Sequence, residues 1–378
     1  MIITNATIIT PFELIRNASL IVDKDRILSV TTDELSGKSL GGRYVVPGFV
    51  DTHIHGCCGY DTNDGKVDSL LGMSRELVKY GVTSFIPTAV TASKKELLKV
   101  AKAVAKAMKV QKEELKGARI LGLHLEGPYI NVDKKGAQNP DYIRNPDFDE
   151  FMEIWQASEG NILEITVAPE IEGAKEFISR VTSLGVVVQI GHTNAIYKEA
   201  KDGIYAGALK ATHLFNGMRS LHHREAGVVG ACLESEQIFV EVICDFIHLS
   251  KPVVKMVYRL AGKDRMVLIS DSISATGLDD GEYILGGLEV IVKDGVCRLK
   301  NGTLAGSTLT LDRAVRNLVD IGIPLKDAVY MASQTPVKPL RINTIGCIKP
   351  GCKADFVILD EDLHVEEVYI EGKLVYKK

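Results

Sequence analysis

No apolar run in this 378-residue chain reaches membrane-spanning length, and its first residues, MIITNATIITPFELIRNAS, lack the basic-then-apolar order of a secretory leader. The seven cysteines include no Cys-x-x-Cys pair. Their odd number, with Cys57 beside Cys58, argues against a secreted disulfide framework. There is no basic excess either. Lys plus Arg is 45 against 49 Asp plus Glu, a net charge of -4, which offers no footprint for nucleic acid and no acidic tail. No repeat array and no low-complexity linker breaks the chain. These absences lead to the expectation of a soluble, cytoplasmic protein acting on neither membranes nor nucleic acid, with ample length for a large core.

What is present is a regular alternation of β-type and helical segments. Candidate strands are Tyr44–His55, Thr83–Val90, Arg119–Glu126, Glu164–Glu170, Val186–His192, Leu209–Asn216, Ile238–His248 and Met266–Asp271. Candidate helices between them include Asp68–Tyr80, Lys94–Lys116, Gly173–Leu184, Tyr197–Ala206 and Lys251–Leu260, with Ser93 a suitable N-cap. Eight strands alternating with helices predict a (β/α)₈ barrel, an α/β fold. An open doubly wound sheet would carry a Gly-rich phosphate turn after its first strand, and none is found. Both ends instead read as short strands and turns, with a hairpin at Asp23–Asp25. Residues 1–48 and 348–378 are expected to pack together as a small β-sandwich, leaving 49–347 as the barrel. A further β-rich piece, Glu282–Thr303, reads as a hairpin insertion.

Barrel active sites form at the C-terminal ends of the strands. His53 and His55, in VPGFVDTHIHG, share one face of an extended chain and end the first strand. Glu126 ends the third, His192 the fifth, and Asp271 the eighth, while His213 lies near the end of the sixth. Imidazoles with a carboxylate suit a borderline divalent ion such as Zn²⁺, Fe²⁺, Mn²⁺ or Co²⁺. Singly, each residue has a plainer role: a strand-end histidine making hydrogen bonds, a Glu126 in a Gly127–Pro128 turn, an Asp271 capping the next segment. The metal reading rests on their convergence from separate strands. His124 is read as facing away from Glu126 and as either structural or a support behind the ligands, His222 and His223 as a solvated basic loop unless they meet an anionic ligand, and His364 as surface.

In order along the chain, HIHG, HLEGPY, GHTNA, THLFNGM, HHRE, ICDFIHLS, SDSISATG, LAGST and GCKADFVILD resemble the amidohydrolase superfamily, and within it the N-acetylglucosamine-6-phosphate deacetylases. HxH alone marks only the superfamily; HLEGP, THLFN and the HHRE loop together are more specific. The resemblance covers essentially the whole chain and implies a metal-dependent barrel with a small β-sandwich. It implies that Glu126, His192 and His213 hold the principal ion, Zn²⁺ foremost, while His53 and His55 match positions that bind a second ion in some members and are not histidines in others, leaving one or two ions per subunit open. Asp271 would be the catalytic carboxylate. Asn216 and Gly217 would donate to the sugar phosphate, His248 would contact the sugar or its phosphate, and Arg224 would reach the phosphate in a neighbouring subunit, hence a homodimer. Gln138 departs from relatives that carry a histidine after KKGA. Either the metals polarise the carbonyl here, or Gln138 only orients the substrate.

The expected reaction is hydrolysis of N-acetylglucosamine 6-phosphate to glucosamine 6-phosphate and acetate. Deacetylation of the galactosamine epimer stays open, since sequence does not resolve one hydroxyl's orientation. Cyclic-amide hydrolysis is disfavoured because the candidate fourth strand, EITVAPE, lacks the bridging lysine usual in that group. A non-enzymatic relative that keeps the barrel and loses the metal is disfavoured by the full set of ligand positions.

Overall fold

The computed structural model describes all of residues 1–378. Eight parallel strands follow chain order around a nearly closed barrel: Phe49–Ile54, Val82–Val90, Leu123–Glu126, Ile162–Val167, Val187–Ile190, Lys210–Ala211, Phe239–Ile243 and Met266–Ile269. The last strand meets the first through Asp271 N–H donating to the His53 carbonyl at 3.0 Å and Ser270 N–H donating to Asp51 Oδ1 at 3.3 Å. Helices cover the outside, so most strands are buried on both faces and read as continuous apolar runs. Their inner stripes join the strands in one core of 76 buried residues. Ser93 starts Lys94–Glu113 with a capping box, its Oγ accepting from Glu96 N–H at 3.3 Å while Glu96 accepts from Ser93 N–H at 3.0 Å. No helix is long and apolar enough to cross a membrane.

Several elements differ from their sequence boundaries, each for a local reason. Tyr44–His55 is two strands, not one. Tyr44–Pro47 belongs to the terminal sheet and Phe49–Ile54 to the barrel, and a side chain on Gly48 between them would collide with Thr83. Arg119–Glu126 breaks at Gly122, where a Cβ would meet the Asn161 carbonyl at 2.6 Å. The sixth and seventh strands are cut short by turns. His213 and Phe215 take positive φ, and the Asp245 carboxylate accepts the N–H groups of Ile247 and His248. Helices Phe148–Ala157, Gly227–Glu234, Leu311–Asp320 and Leu325–Ser333 complete the outer layer. Cys347 and Cys352 are disulfide-bonded across a turn, a single bridge with the other five cysteines free, not a framework of bridges. A search for Cys-x-x-Cys overlooks a pair five residues apart.

The two chain ends share one eight-stranded sheet, in the order Lys373–Lys377, Val365–Ile370, Phe356–Leu359, Tyr44–Pro47, Ile2–Ile9, Leu14–Asp23 and Arg26–Thr31, with Lys38–Ser39 also on Ile2–Ile9. The sheet curls until Ile27 and the 351–352 turn exchange backbone hydrogen bonds at 2.9 Å, enclosing its own core of 16 residues. Three short strands, Gly281–Leu285, Leu288–Lys293 and Val296–Leu299, form the expected insertion and pack beside the barrel mouth on Val90 and Ile273.

Arg119 ties the sheet to the barrel. Its guanidinium donates to Ser84 Oγ at 3.2 Å on the barrel side, and to Asp355 Oδ2 at 2.7 Å and Glu371 Oε1 at 3.0 Å on the sheet side. The Asp355 side chain is fully buried, so removing Arg119 leaves it without its cation. Breaking a buried pair from one side typically costs about 3–5 kcal/mol. Arg119→Ala is therefore expected to lower the denaturant midpoint by about that much stability; an unchanged midpoint would mean that the junction does not depend on this pair.

Candidate active site

The rim of the barrel is built at strand ends where the backbone leaves the sheet. His192, His213 and Asp271 all have positive φ (45°, 25° and 50°), conformations that L-residues adopt at a cost of order 1–3 kcal/mol each. They are fixed from both sides. Asp271 donates its N–H to His53 and accepts from Ser307 N–H at 2.8 Å, while His192 accepts from Asn131 N–H at 2.9 Å. The result turns several side chains inward toward one point.

That point is crowded with acceptors. Glu126 Oε1 lies 3.0 Å from His192 Nε2 and 2.9 Å from His213 Nε2, and Glu126 Oε2 lies 3.3 Å from His55 Nε2. Asp271 Oδ1 is 3.0 Å from His55 Nε2 and 3.5 Å from His53 Nε2. Each imidazole is held from behind through Nδ1: His192 by the Lys134 carbonyl at 2.8 Å, His213 by the Asn216 carbonyl at 3.1 Å, His55 by the Thr88 carbonyl at 3.0 Å, and His53 by Glu241 at 3.0 Å. With the proton on Nδ1, every Nε2 presents a lone pair to the centre. His192 and His213 bring theirs within 3.2 Å of each other, and the fully buried His53 Nε2 has no hydrogen-bond partner. Such a set is repulsive until a cation enters it. Two groups, Glu126–His192–His213 and His53–His55–Asp271, are each compact enough for one ion, so the residues present fit a divalent metal.

The protonation equilibria carry the same message. Burial disfavours a charged His55, yet Asp271 and Glu126 together push its pKa up to about 10. His53 is likewise raised against its burial by Glu241 and Glu126. Burial pushes Glu126 and Asp271 the other way, toward neutrality, but the surrounding imidazoles hold both below the ordinary carboxylate range. The cluster therefore favours positive charge at its centre.

Above it opens a cleft of about 200 Å³, lined by His55, Glu126, Gln138, His192, His213, Asn216, Gly217, His248 and Asp271. His53 sits beneath, with no solvent exposure. Gln138 is buried, accepting from Thr91 N–H at 2.7 Å and donating to Glu126 Oε2 at 2.6 Å. Gly217, at φ 59°, packs against His192, where a Cβ would come within 2.9 Å of Nδ1. His248 is braced by Asp245 at 2.7 Å; burial opposes its charged form, but this carboxylate raises its pKa. Arg224 is the exception. It is exposed, bonds to His223, and is not part of this chain's own cleft.

Residues two apart in a strand share a face, so His124 points into the barrel with Glu126 rather than away from it. It is bonded to Thr88 and Thr166, with its ring 4.8 Å from that of His53. The sequence reading also passed over Glu164, Lys210 and Glu241, which meet inside the barrel below His53. Their signal is a charged residue inside each of three apolar strands, LEITV, LKAT and FVEVI. Asp245 was missed as well; it lies three residues before His248, within reach of its ring.

Known proteins place the chain. The model of the amidohydrolase family matches residues 44–375. An N-acetylglucosamine-6-phosphate deacetylase from Vibrio furnissii is 39% identical over 339 residues, 89% of this chain and 84% of its own. An N-acetylgalactosamine-6-phosphate deacetylase from Escherichia coli O157:H7 is 38% identical over 330 residues, 87% of this chain and 86% of its own. Among solved structures, the Mycobacterium smegmatis N-acetyl-D-glucosamine-6-phosphate deacetylase in complex with N-acetyl-D-glucosamine-6-phosphate superposes with a TM-score of 0.95 at 34% identity, covering 100% of this chain and 99% of that one. With the fold, the paired clusters and these likenesses in agreement, the chain belongs to the amidohydrolase family.

Proposed function

We propose that this protein hydrolyses N-acetylglucosamine 6-phosphate to glucosamine 6-phosphate and acetate. One observation carries the reading: two buried His/carboxylate clusters open on one cleft, in a chain 39% identical to a deacetylase of that substrate. Glu126, His192 and His213 would hold the principal ion and His53 with His55 a second, Zn²⁺ being the ion best matched to this donor set. A divalent ion held by these residues would supply a water of lowered pKa, about 7 in favourable sites, and Lewis acidity toward an amide carbonyl. Asp271, kept ionised by its imidazole neighbours, would accept a proton from the attacking water and return it to the departing nitrogen. The C–O bond forms, the C–N bond breaks, and acetate and the amine leave.

Asn216, Gly217, His248 and Gln138 face the cleft and would bind the sugar and its phosphate. Arg224, exposed and planar, suits phosphate oxygens in the neighbouring subunit of a homodimer. In this reading the catalytic unit is 49–347, the terminal segments 1–48 and 348–378 form the supporting domain, and the enzyme works in the cytoplasm. The galactosamine epimer is the second reading, on the strength of the 38% identical relative that acts on it.

Purified protein should contain metal and release acetate from N-acetylglucosamine 6-phosphate faster than from its galactosamine epimer; the reverse order would favour the second reading. Asp271→Asn should keep its metal and lose at least 10²- to 10⁴-fold in kcat, the range ascribed to general acid–base transfer; near-wild-type turnover would remove Asp271 from the mechanism. Arg224→Ala should raise KM for the phosphorylated sugar far more than for its dephosphorylated analogue, and equal losses would count against a phosphate role. Metal binding must displace the proton that His55 otherwise keeps to about pH 10. Affinity for the ion should therefore fall as pH falls, with protons released on binding, which calorimetry in two buffers of different ionisation heat measures directly. Binding without proton release would show that His55 holds no proton before the ion enters.

A further inference from the structure

We propose that Glu241, seated against Lys210 inside the barrel, is a positioning residue for His53 and sets the affinity of the second metal ion. The four ligand imidazoles are not braced alike. His55, His192 and His213 each give their Nδ1–H to a backbone carbonyl, whereas His53 gives its own to the Glu241 carboxylate at 3.0 Å. A carboxylate behind an imidazole fixes its tautomer and ring orientation and makes the far nitrogen a stronger ligand. The far nitrogen is His53 Nε2, the buried atom without a hydrogen-bond partner. The same Glu241 oxygen also lies 3.3 Å from the His213 backbone N–H, so one carboxyl group touches both ligand clusters.

Glu241 cannot swing away. Lys210 Nζ stands 2.8 Å from its other oxygen and 2.8 Å from Glu164, and Gln189 donates to Glu164 at 3.0 Å. Glu241, Lys210, Glu164 and His53 have no side-chain exposure, so no solvent competes with these contacts. The arrangement is also uneconomical as a mere structural feature, since three buried charged groups are weak contributors to stability compared with packed apolar residues. Directing the charge toward His53 gives the group a purpose. The Lys210–Glu164 pair means that Glu241→Gln leaves the lysine with a carboxylate partner, and the amide oxygen can still accept from His53. This variant is therefore expected to fold.

The inference rests on the two-ion reading, and the test separates them. Metal-free wild type, Glu241→Gln, Glu241→Ala and His53→Ala are titrated with Co²⁺ alone, following stoichiometry and affinity by calorimetry and the cobalt absorption spectrum. Wild type should bind two ions. Glu241→Gln should bind the first as wild type does and the second about 10- to 100-fold more weakly, the usual effect of losing such a brace. Glu241→Ala should resemble His53→Ala, with the second ion lost. A second-ion affinity within twofold of wild type in Glu241→Gln would overturn the proposal, and so would equal weakening of both ions, which marks a merely structural role. One ion in wild type would instead overturn the two-ion reading and the proposal with it. Should Glu241→Ala fail to fold, Glu241→Gln alone decides.

Discussion

Six side chains from five barrel strands and their loops bring lone pairs or negative charge to one buried point, and the only neutral side-chain donor bonded there is the Gln138 amide. At separations near 3 Å such groups repel unless positive charge lies among them. Much else in the protein answers that demand. The left-handed backbone at His192, His213 and Asp271 exists because ordinary strand geometry would not aim these side chains inward from a sheet that ends below them. The loop at 131–138 closes over the cluster because it supplies the Lys134 carbonyl to His192 and the Gln138 amide to Glu126. Gly217 is needed beside His192 because there is no room for a side chain.

The interior below the rim has to tolerate the same charge. A barrel filled only with branched apolar residues would leave His53 with nothing to hold its Nδ1 proton. Here the layer under it is polar: His124 with Thr88 and Thr166, then Thr212, Gln189, Glu164, Lys210 and Glu241, linked by hydrogen bonds and without solvent. Every member finds a partner on a neighbouring strand, which is how buried polar groups are normally reconciled with a core. The register that keeps this layer in line is set by the apolar residues around it, so fold and site are not separable here.

How much of this could be read from the sequence follows from which signals are local. His53 and His55 were legible because period two puts them on one face, and Glu126, His192 and Asp271 because apolar runs end at them. The alternation of strands and helices gave the barrel. Asp245 and Glu241 were not legible in the same way, since their meaning lies in contacts with residues three positions away in a tight turn, or 188 positions away across the barrel. Three isolated charges in apolar strands are the one signal of this layer in the sequence: a lone buried charge needs a partner, and three of them in the fourth, sixth and seventh strands supply one another. The break at Gly48 was hidden because both flanking segments are apolar, although they serve different sheets. Arg224 shows the converse. Its motif is visible in the sequence, while its suggested partner lies outside a single chain.

Gln138 gains a definite position from the hydrogen-bond network. Thr91 N–H can only donate, so the oxygen of the Gln138 amide must face it and the nitrogen must face Glu126. One amide hydrogen is thereby committed to Glu126 Oε2, and one is left for the cleft. A neutral amide does not ionise near neutral pH and so serves as neither acid nor base, and its donation to Glu126 restrains the oxygen that His55 also approaches at 3.3 Å. A histidine at the same place could bring a proton or a charge, but it could not satisfy Thr91 and Glu126 at once with the same planar group and still offer a donor to the substrate. The glutamine therefore favours a fixed carboxylate over a mobile proton at this side of the cleft. Proton movement in the proposed reaction then falls to Asp271, a carboxylate that, unlike the Gln138 amide, is able to take up a proton and give it back.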